Sequence, residues 1–239
     1  LKRLMAMGEA MEHRGPDGFG LWVSETNKVG LAHQRLAIVD LSDQAKQPMS
    51  DKEQSVYVTF NGEIYNHKVL RRELLAKGHT FLTHHSDTEV LVHGYKEWGL
   101  LGLVKRLDGM FAFGLWDTKK QKFLLARDRI GIKPLYFCSH QDTFRFASEI
   151  KAILTDPSIP REMDPNALNH YLSFMVSPPP LTMFKNIYKL PAAHIMEVNK
   201  SGEIKTRRYW DVSSNSSEAF SNSNHLSNSS DERFCIDGV

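Results

Sequence analysis

The chain has 239 residues, 41% hydrophobic and 24% charged, enough for one sizeable core. Its 30 Lys and Arg against 28 Asp and Glu leave a formal net charge of +2, so there is no electrostatic case for a nucleic-acid or anionic-membrane partner. The two cysteines, Cys138 and Cys235, lie far apart without metal-ligand spacing, which argues against a disulfide scaffold and makes a reducing, cytoplasmic setting the expectation. No apolar run approaches the roughly 20 residues that span a bilayer. The N-terminus lacks the charged-then-apolar layout of a signal peptide. It opens at Leu1 inside a helical pattern, and the expectation is a fragment or a processed product.

Leu1 to Glu12 carries Leu1, Leu4, Met7 (or Gly8) and Met11 on one helical stripe. Arg14-Gly-Pro-Asp-Gly18 ends that helix, since Pro16 disfavours helix at Gly15 and Asp17-Gly18 is turn chemistry. Short strands are predicted at Phe19 to Ser24, Val29 to Ala32, Ala37 to Asp40 and Val56 to Phe60. The last ends in Asn61-Gly62, read as a bend from strand into the helix Asn66 to Lys77, with Gly78 as its C-terminal cap. Ser86-Asp87-Thr88-Glu89 has capping-box spacing and opens a helix to about Trp98, followed by a shorter one over Leu100 to Arg106. Met110 to Trp116 is apolar on both alternating faces, which places that strand inside a layered fold. Strands follow at Phe123 to Arg127, Leu135 to Ser139 and Thr143 to Ala147, the last two flanking a His140-Gln-Asp142 turn.

Helices are predicted at Glu149 to Thr155 and Pro165 to Phe174, then an extended Ser177-Pro-Pro-Pro180 connector and two strands, His194 to Val198 and Lys205 to Tyr209. Residues 213–230, dominated by Ser and Asn, read as a linker that cannot offset its ordering entropy by burial. Many strands in meander order with covering helices give an α+β class, a four-layer helix–sheet–sheet–helix sandwich.

Five segments stand in a fixed order. They are Met11-Glu-His-Arg-Gly-Pro-Asp-Gly18, Ala32-His-Gln-Arg-Leu-Ala-Ile-Val-Asp40, Phe60-Asn-Gly-Glu-Ile-Tyr-Asn66, Ser86-Asp-Thr-Glu-Val90 and Ala126-Arg-Asp-Arg-Ile-Gly-Ile-Lys-Pro-Leu-Tyr136. Together they closely resemble the glutaminase domain of glutamine-hydrolysing asparagine synthetases, N-terminal-nucleophile amidotransferases of class II, from about Leu4 to about Asp211. The residues around Arg35 and Asn61-Gly62 favour this branch over the sugar-aminating and purine-pathway relatives.

The resemblance implies a glutaminase domain over 1–212, the linker, and in 231–239 the possible start of a synthetase domain, whose Ser-Gly-Gly-Leu-Asp-Ser-like loop does not occur here. It implies the N-terminal-nucleophile hydrolase type of sandwich, with the first strand missing. Such domains attack the glutamine side-chain amide with an N-terminal cysteine thiolate, its own α-amino group handling the proton. Only 13 residues precede Arg14, so the expectation is that this nucleophile is absent and that the fragment is inactive. Neither Cys138, inside a strand, nor Cys235, beyond the linker, can replace it.

The implied receptor is specific. Asn61 and Gly62 would donate to the oxyanion, Arg35 would bind the α-carboxylate, Asp87 the α-ammonium, and Leu36, Ile38, Val39 and Glu63 would line the pocket. Read without the resemblance, Asn61-Gly62 is a turn, Arg35 a surface cation, and Asp87 a favourable acid in a helix first turn. His79, His84 and His85 beside Asp87 match no ligand spacing, so no metal is expected, and Arg127-Asp128-Arg129 reads as an ion-paired turn. The domain needs no cofactor of its own; ATP and magnesium belong to the absent synthetase part. Glutamine, and ammonia passed to that part, are the expected partners, with a homodimer possible. Two alternatives stay open: an amidotransferase for another carboxylate or a sugar, and a non-catalytic glutamine-binding module.

Overall fold

The computed structural model describes residues 1–37 and 43–212. Eleven strands and five helices are described in that range: α1 (Lys2–Glu9), β1 (Gly18–Val23), β2 (Gly30–Arg35), β3 (Met49–Ser50), β4 (Val56–Ile64), α2 (His67–Ala76), α3 (Thr88–Arg106), β5 (Gly109–Asp117), β6 (Lys122–Arg127), β7 (Tyr136–His140), β8 (Thr143–Ala147), α4 (Ile150–Ile153), α5 (Pro165–Phe174), β9 (Tyr188–Lys189), β10 (His194–Val198) and β11 (Ile204–Arg208). The strands form a six-stranded antiparallel sheet, β11-β10-β6-β5-β4-β3, a hairpin β1-β2, and a three-stranded sheet β8-β7-β9.

The six-stranded sheet organises everything else because its middle is apolar on both faces. Phe111, Phe113 and Leu115 of β5 pack with Leu74 of α2 and Leu91 of α3. Ala112 and Trp116, alternating with them, pack on the opposite side with Leu31 of β2 and, through their cluster, with Phe137 and Phe146 of the small sheets. Full burial of side chains of this size contributes about 1.5–3 kcal/mol each before entropy is charged against it. Outside the second strand layer lie α1 and α4. Gln34 donates to the Gly8 carbonyl at 2.9 Å, and Arg14 donates to Glu149 at 2.9 Å. The second layer is therefore two separate small sheets, where the sequence predicted one.

Several local expectations are met. α3 breaks at Gly99, whose φ is 67°. Gly78 follows α2 with φ 90°, a conformation costly for any residue with a Cβ. The β7–β8 hairpin turns through Gln141 and Asp142, both with positive φ. α5 has its predicted bounds because Asp164 accepts the N–H groups of Asn166 and Ala167, Pro165 occupies the first turn, and Met175 ends it in the left-handed region.

Others are corrected. Asn61-Gly62 is no bend: β4 runs straight through it to Ile64, with Asn61 opposite Ala112 and Gly62 opposite Phe111. The capping box at Ser86 does not form. Asp87 is the N-cap residue without a side-chain cap, and Glu89 accepts from Leu82 N at 2.5 Å, Thr83 N at 2.8 Å and Thr83 Oγ1 at 2.6 Å. The turn after β6 is held by backbone and not by an ion pair: Arg127 donates to the carbonyls of Gly131, Lys133 and Leu190, while Asp128 accepts the N–H groups of Phe111, Ile130, Ile132 and Lys133. The predicted strand at Ala37 to Asp40 falls mostly outside the described residues, as does everything from 213 onward.

Candidate active site

A cleft of about 1740 Å³ opens between β2 and β8, with the apolar face of the six-stranded sheet as its floor. It gathers Arg35, Leu36, Asn61, Gly62, Glu63 and Asp87. Ile38 and Val39 lie outside the described residues. All six described site residues that the sequence singled out therefore line one cleft, from three separate elements.

The ladder geometry of β4 explains the donors. Phe111 exchanges both backbone bonds with Asp128, its N–H donating to the carboxylate at 3.3 Å and its carbonyl accepting at 2.8 Å. Hence the groups of β4 opposite it face away from β5, because ladder bonds alternate sides along a strand. Phe60, Gly62 and Ile64 therefore aim their N–H groups at the other edge, past the end of β3. The Phe60 N–H is taken by Gln47 Oε1 at 2.7 Å and the Ile64 N–H by Asp87 Oδ2 at 3.0 Å. The Gly62 N–H points from between these two acceptors, beside the Asn61 amide, whose Nδ2 lies 3.5 Å from Ser148 Oγ. Position 62 must be glycine: φ is 150°, and a Cβ there would meet the Met110 carbonyl oxygen at 2.0 Å.

β2 supplies the cation. Leu31, His33 and Arg35 alternate onto one face. Leu31 shares the core with Tyr57, His33 Nδ1 sits 3.3 Å from Thr59 Oγ1, and Arg35 lines the cleft as Asn61 does. Burial, and then the Arg35 charge, lower the His33 pKa from 6.5 to about 4, so this imidazole is neutral at ordinary pH.

Asp87 is 6% exposed. Burial raises its pKa, opposed by the Ile64 N–H and by His67. The cleft lining thus includes a guanidinium, Arg35, and two carboxylates, Glu63 and Asp87, together with the Asn61 amide and the Gly62 N–H. Such a set offers partners for a carboxylate, an ammonium and a carbonyl oxygen. His79 is directed elsewhere, to Glu97 at 3.0 Å. Cys138 on β7 is fully buried, and burial raises its thiol pKa; it does not line the cleft.

Gln47, His33 and Ser148 also line this cleft and were missed. His33 was within reach, since it lies two residues before Arg35 on a strand and must share its face. Nothing local in the sequence marks Gln47 or Ser148.

Fold and site define a glutamine amidotransferase domain of class II. The chain belongs to that family, whose profile, described as a glutamine amidotransferase domain, matches residues 1–210. Among similar proteins, the glutamine-hydrolysing asparagine synthetase 3 of Bacillus subtilis is 40% identical over 211 residues, 87% of this chain and 33% of that protein. The amidase chry2 of Gibberella zeae is 36% identical over 204 residues, 85% of this chain and 29% of that protein. The chain thus spans about a third of the length of such relatives. The solved glutamine phosphoribosylpyrophosphate amidotransferase of Bacillus subtilis shares the fold, with a TM-score of 0.61 over 87% of this chain and 46% of that one, at 19% identity.

Proposed function

We propose that this chain is the glutamine-hydrolysing part of an asparagine synthetase-type amidotransferase, with the N-terminal-nucleophile sandwich as its fold. The observation that carries the reading is the Gly62 N–H set beside the Asn61 amide, with Arg35 and Asp87 in the same cleft. Arg35 holds the α-carboxylate of glutamine and Asp87 its α-ammonium. The side-chain carbonyl then reaches Asn61 and Gly62, which stabilise the oxyanion formed when a thiolate attacks. Collapse of that adduct releases ammonia and leaves a thioester for water to open. In the whole protein the ammonia amidates aspartate, with ATP and magnesium supplied by a synthetase portion.

The thiol is not one of the described residues that line the cleft. Among the described residues β2 pairs with β1 alone and β8 with β7 alone, so each has a second edge to which an extended segment could add. A thiolate brought into this cleft would attack beside Asn61 and Gly62. By itself the chain binds glutamine weakly and does not turn it over.

A titration of the ¹⁵N-labelled chain with glutamine tests this. Saturable shifts at Asn61, Gly62 and Asp87 are expected, with no ammonia release; cysteine-dependent release from this chain would overturn the reading that no thiol of the chain serves this site. The similarity to an amidase favours one second reading, the same glutaminase chemistry serving a different acceptor.

A further inference from the structure

Met49 pairs with Val58 and Ser50 with Tyr57, and extending that antiparallel register past the end of β3 places Gln47 opposite Phe60. Gln47 does not continue the strand. Its side chain takes the place of the missing ladder carbonyl, with Oε1 accepting the Phe60 N–H at 2.7 Å, while Nε2 donates to Thr88 Oγ1 at 3.3 Å. Thr88 is the first residue of α3 and follows Asp87 directly. At the other end of the same segment, Asp87 itself accepts the Ile64 N–H at 3.0 Å. Asn61, Gly62 and Glu63 are thus pinned on both sides to the start of a single helix.

We propose that Gln47 is a positioning residue that fixes the spacing between the oxyanion donors, Asn61 and Gly62, and the ammonium acceptor, Asp87, and so selects glutamine over asparagine. The inference rests on the glutamine reading above and adds the element that measures the ligand. The α-ammonium and the side-chain carbonyl of the ligand are joined by a chain of set length. Two anchors held at a fixed separation distinguish a chain one methylene shorter, a difference worth roughly 10–200-fold in such pockets. Anchors free to move apart or together accommodate both. Among the described residues Gln47 supplies the one side-chain link of this kind between Phe60 and Thr88.

The test is a chemical-shift titration of the intact 239-residue chain with glutamine and, separately, asparagine. Gln47→Met keeps the length of the side chain and removes both bonds. Thr88→Val removes only the bond to α3, leaving the Phe60 bond that supports the strand, and Thr88→Ser restores the hydroxyl. The wild-type chain is expected to prefer glutamine by about tenfold or more, and Gln47→Met and Thr88→Val to reduce the preference to below about threefold. Thr88→Ser should retain it. Should Gln47→Met fail to fold, Thr88→Val decides the matter. If that variant weakens both ligands by the same factor, or neither, Gln47 serves only the fold and the proposal is overturned. A wild-type chain that binds glutamine without preference overturns the proposal alone, whereas one that binds neither amino acid overturns the glutamine reading and this inference with it.

Discussion

The carboxylate of Asp87 accepts the backbone N–H of Ile64, two residues beyond Gly62, at 3.0 Å. One side chain thereby joins the start of α3 to the strand that carries Asn61 and Gly62, while also lining the cleft. Its raised pKa, caused first by burial, sets the pH behaviour. Below that pKa the native carboxyl is protonated and attracts an ammonium less. Glutamine binding should therefore weaken as pH falls through a window lying above the ordinary value of 3.8, and binding within that window should release protons. Calorimetry in buffers of different ionisation enthalpy measures the release. Binding that is unchanged down to the ordinary aspartate range would remove Asp87 from the ammonium role.

Arg35 and Asn61 should separate cleanly when glutamine binding is measured. A cation on a carboxylate is made in the ground state, so Arg35→Ala should raise the glutamine Kd about 10–100-fold, equivalent to losing about 1.5–3 kcal/mol. The Asn61 amide holds the neutral side-chain carbonyl in the ground state and acts more strongly on the charge that develops during attack. Asn61→Ala should therefore raise the Kd by only about two- to tenfold, less than Arg35→Ala, with its larger effect on turnover. Equal losses in the two variants would contradict this division of labour.

Gly62→Ala is expected to destabilise the fold by about 2 kcal/mol or more, because positive φ and collision with the Met110 oxygen act together. Urea unfolding gives the magnitude. An alanine variant as stable as the wild type would mean that β4 relaxes at this point, and the donor geometry derived from its ladder would have to be abandoned.

His33 offers a second pH signature, read in stability and not in binding. Its folded pKa, about 4, lies below the ordinary 6.5, so the unfolded chain binds a proton more readily between these values. The stability tied to neutral His33 is complete above about pH 6.5 and is lost as pH falls toward 4, to a limit of about 3 kcal/mol. His33→Gln should flatten this part of a stability–pH curve. An unchanged curve would show that His33 exchanges protons freely through the cleft.

Much of this was legible in the sequence because short-range rules were sufficient. Asp164-Pro165 start α5 by capping and fixed φ, Gly99 breaks α3, and the double-sided apolar pattern of residues 110–116 marks a strand with no wet face. Where longer-range partners compete, local signals mislead. Asn61-Gly62 looks like a turn, yet nine ladder positions shared with β5 hold it extended. Glu89 looks like half of a capping box, but the three donors of Leu82 and Thr83 draw it away from Ser86. Gln47 could be found only from the register of a two-residue strand, which carries no periodicity to read.

The two sides of the cleft are built on supports of very different firmness. Asn61 and Gly62 belong to β4, laddered along nine positions to a strand buried on both faces. Arg35 ends a hairpin whose strands, among the described residues, ladder with each other alone, and such a hairpin is marginal without help from its surroundings. Local unfolding free energy therefore rises across the width of one substrate. In hydrogen exchange, the amides of β1 and β2 should open well before those of β5, and glutamine should slow the first pair while leaving β5 as it was. The ligand finishes the ordering of one wall and finds the other already in place.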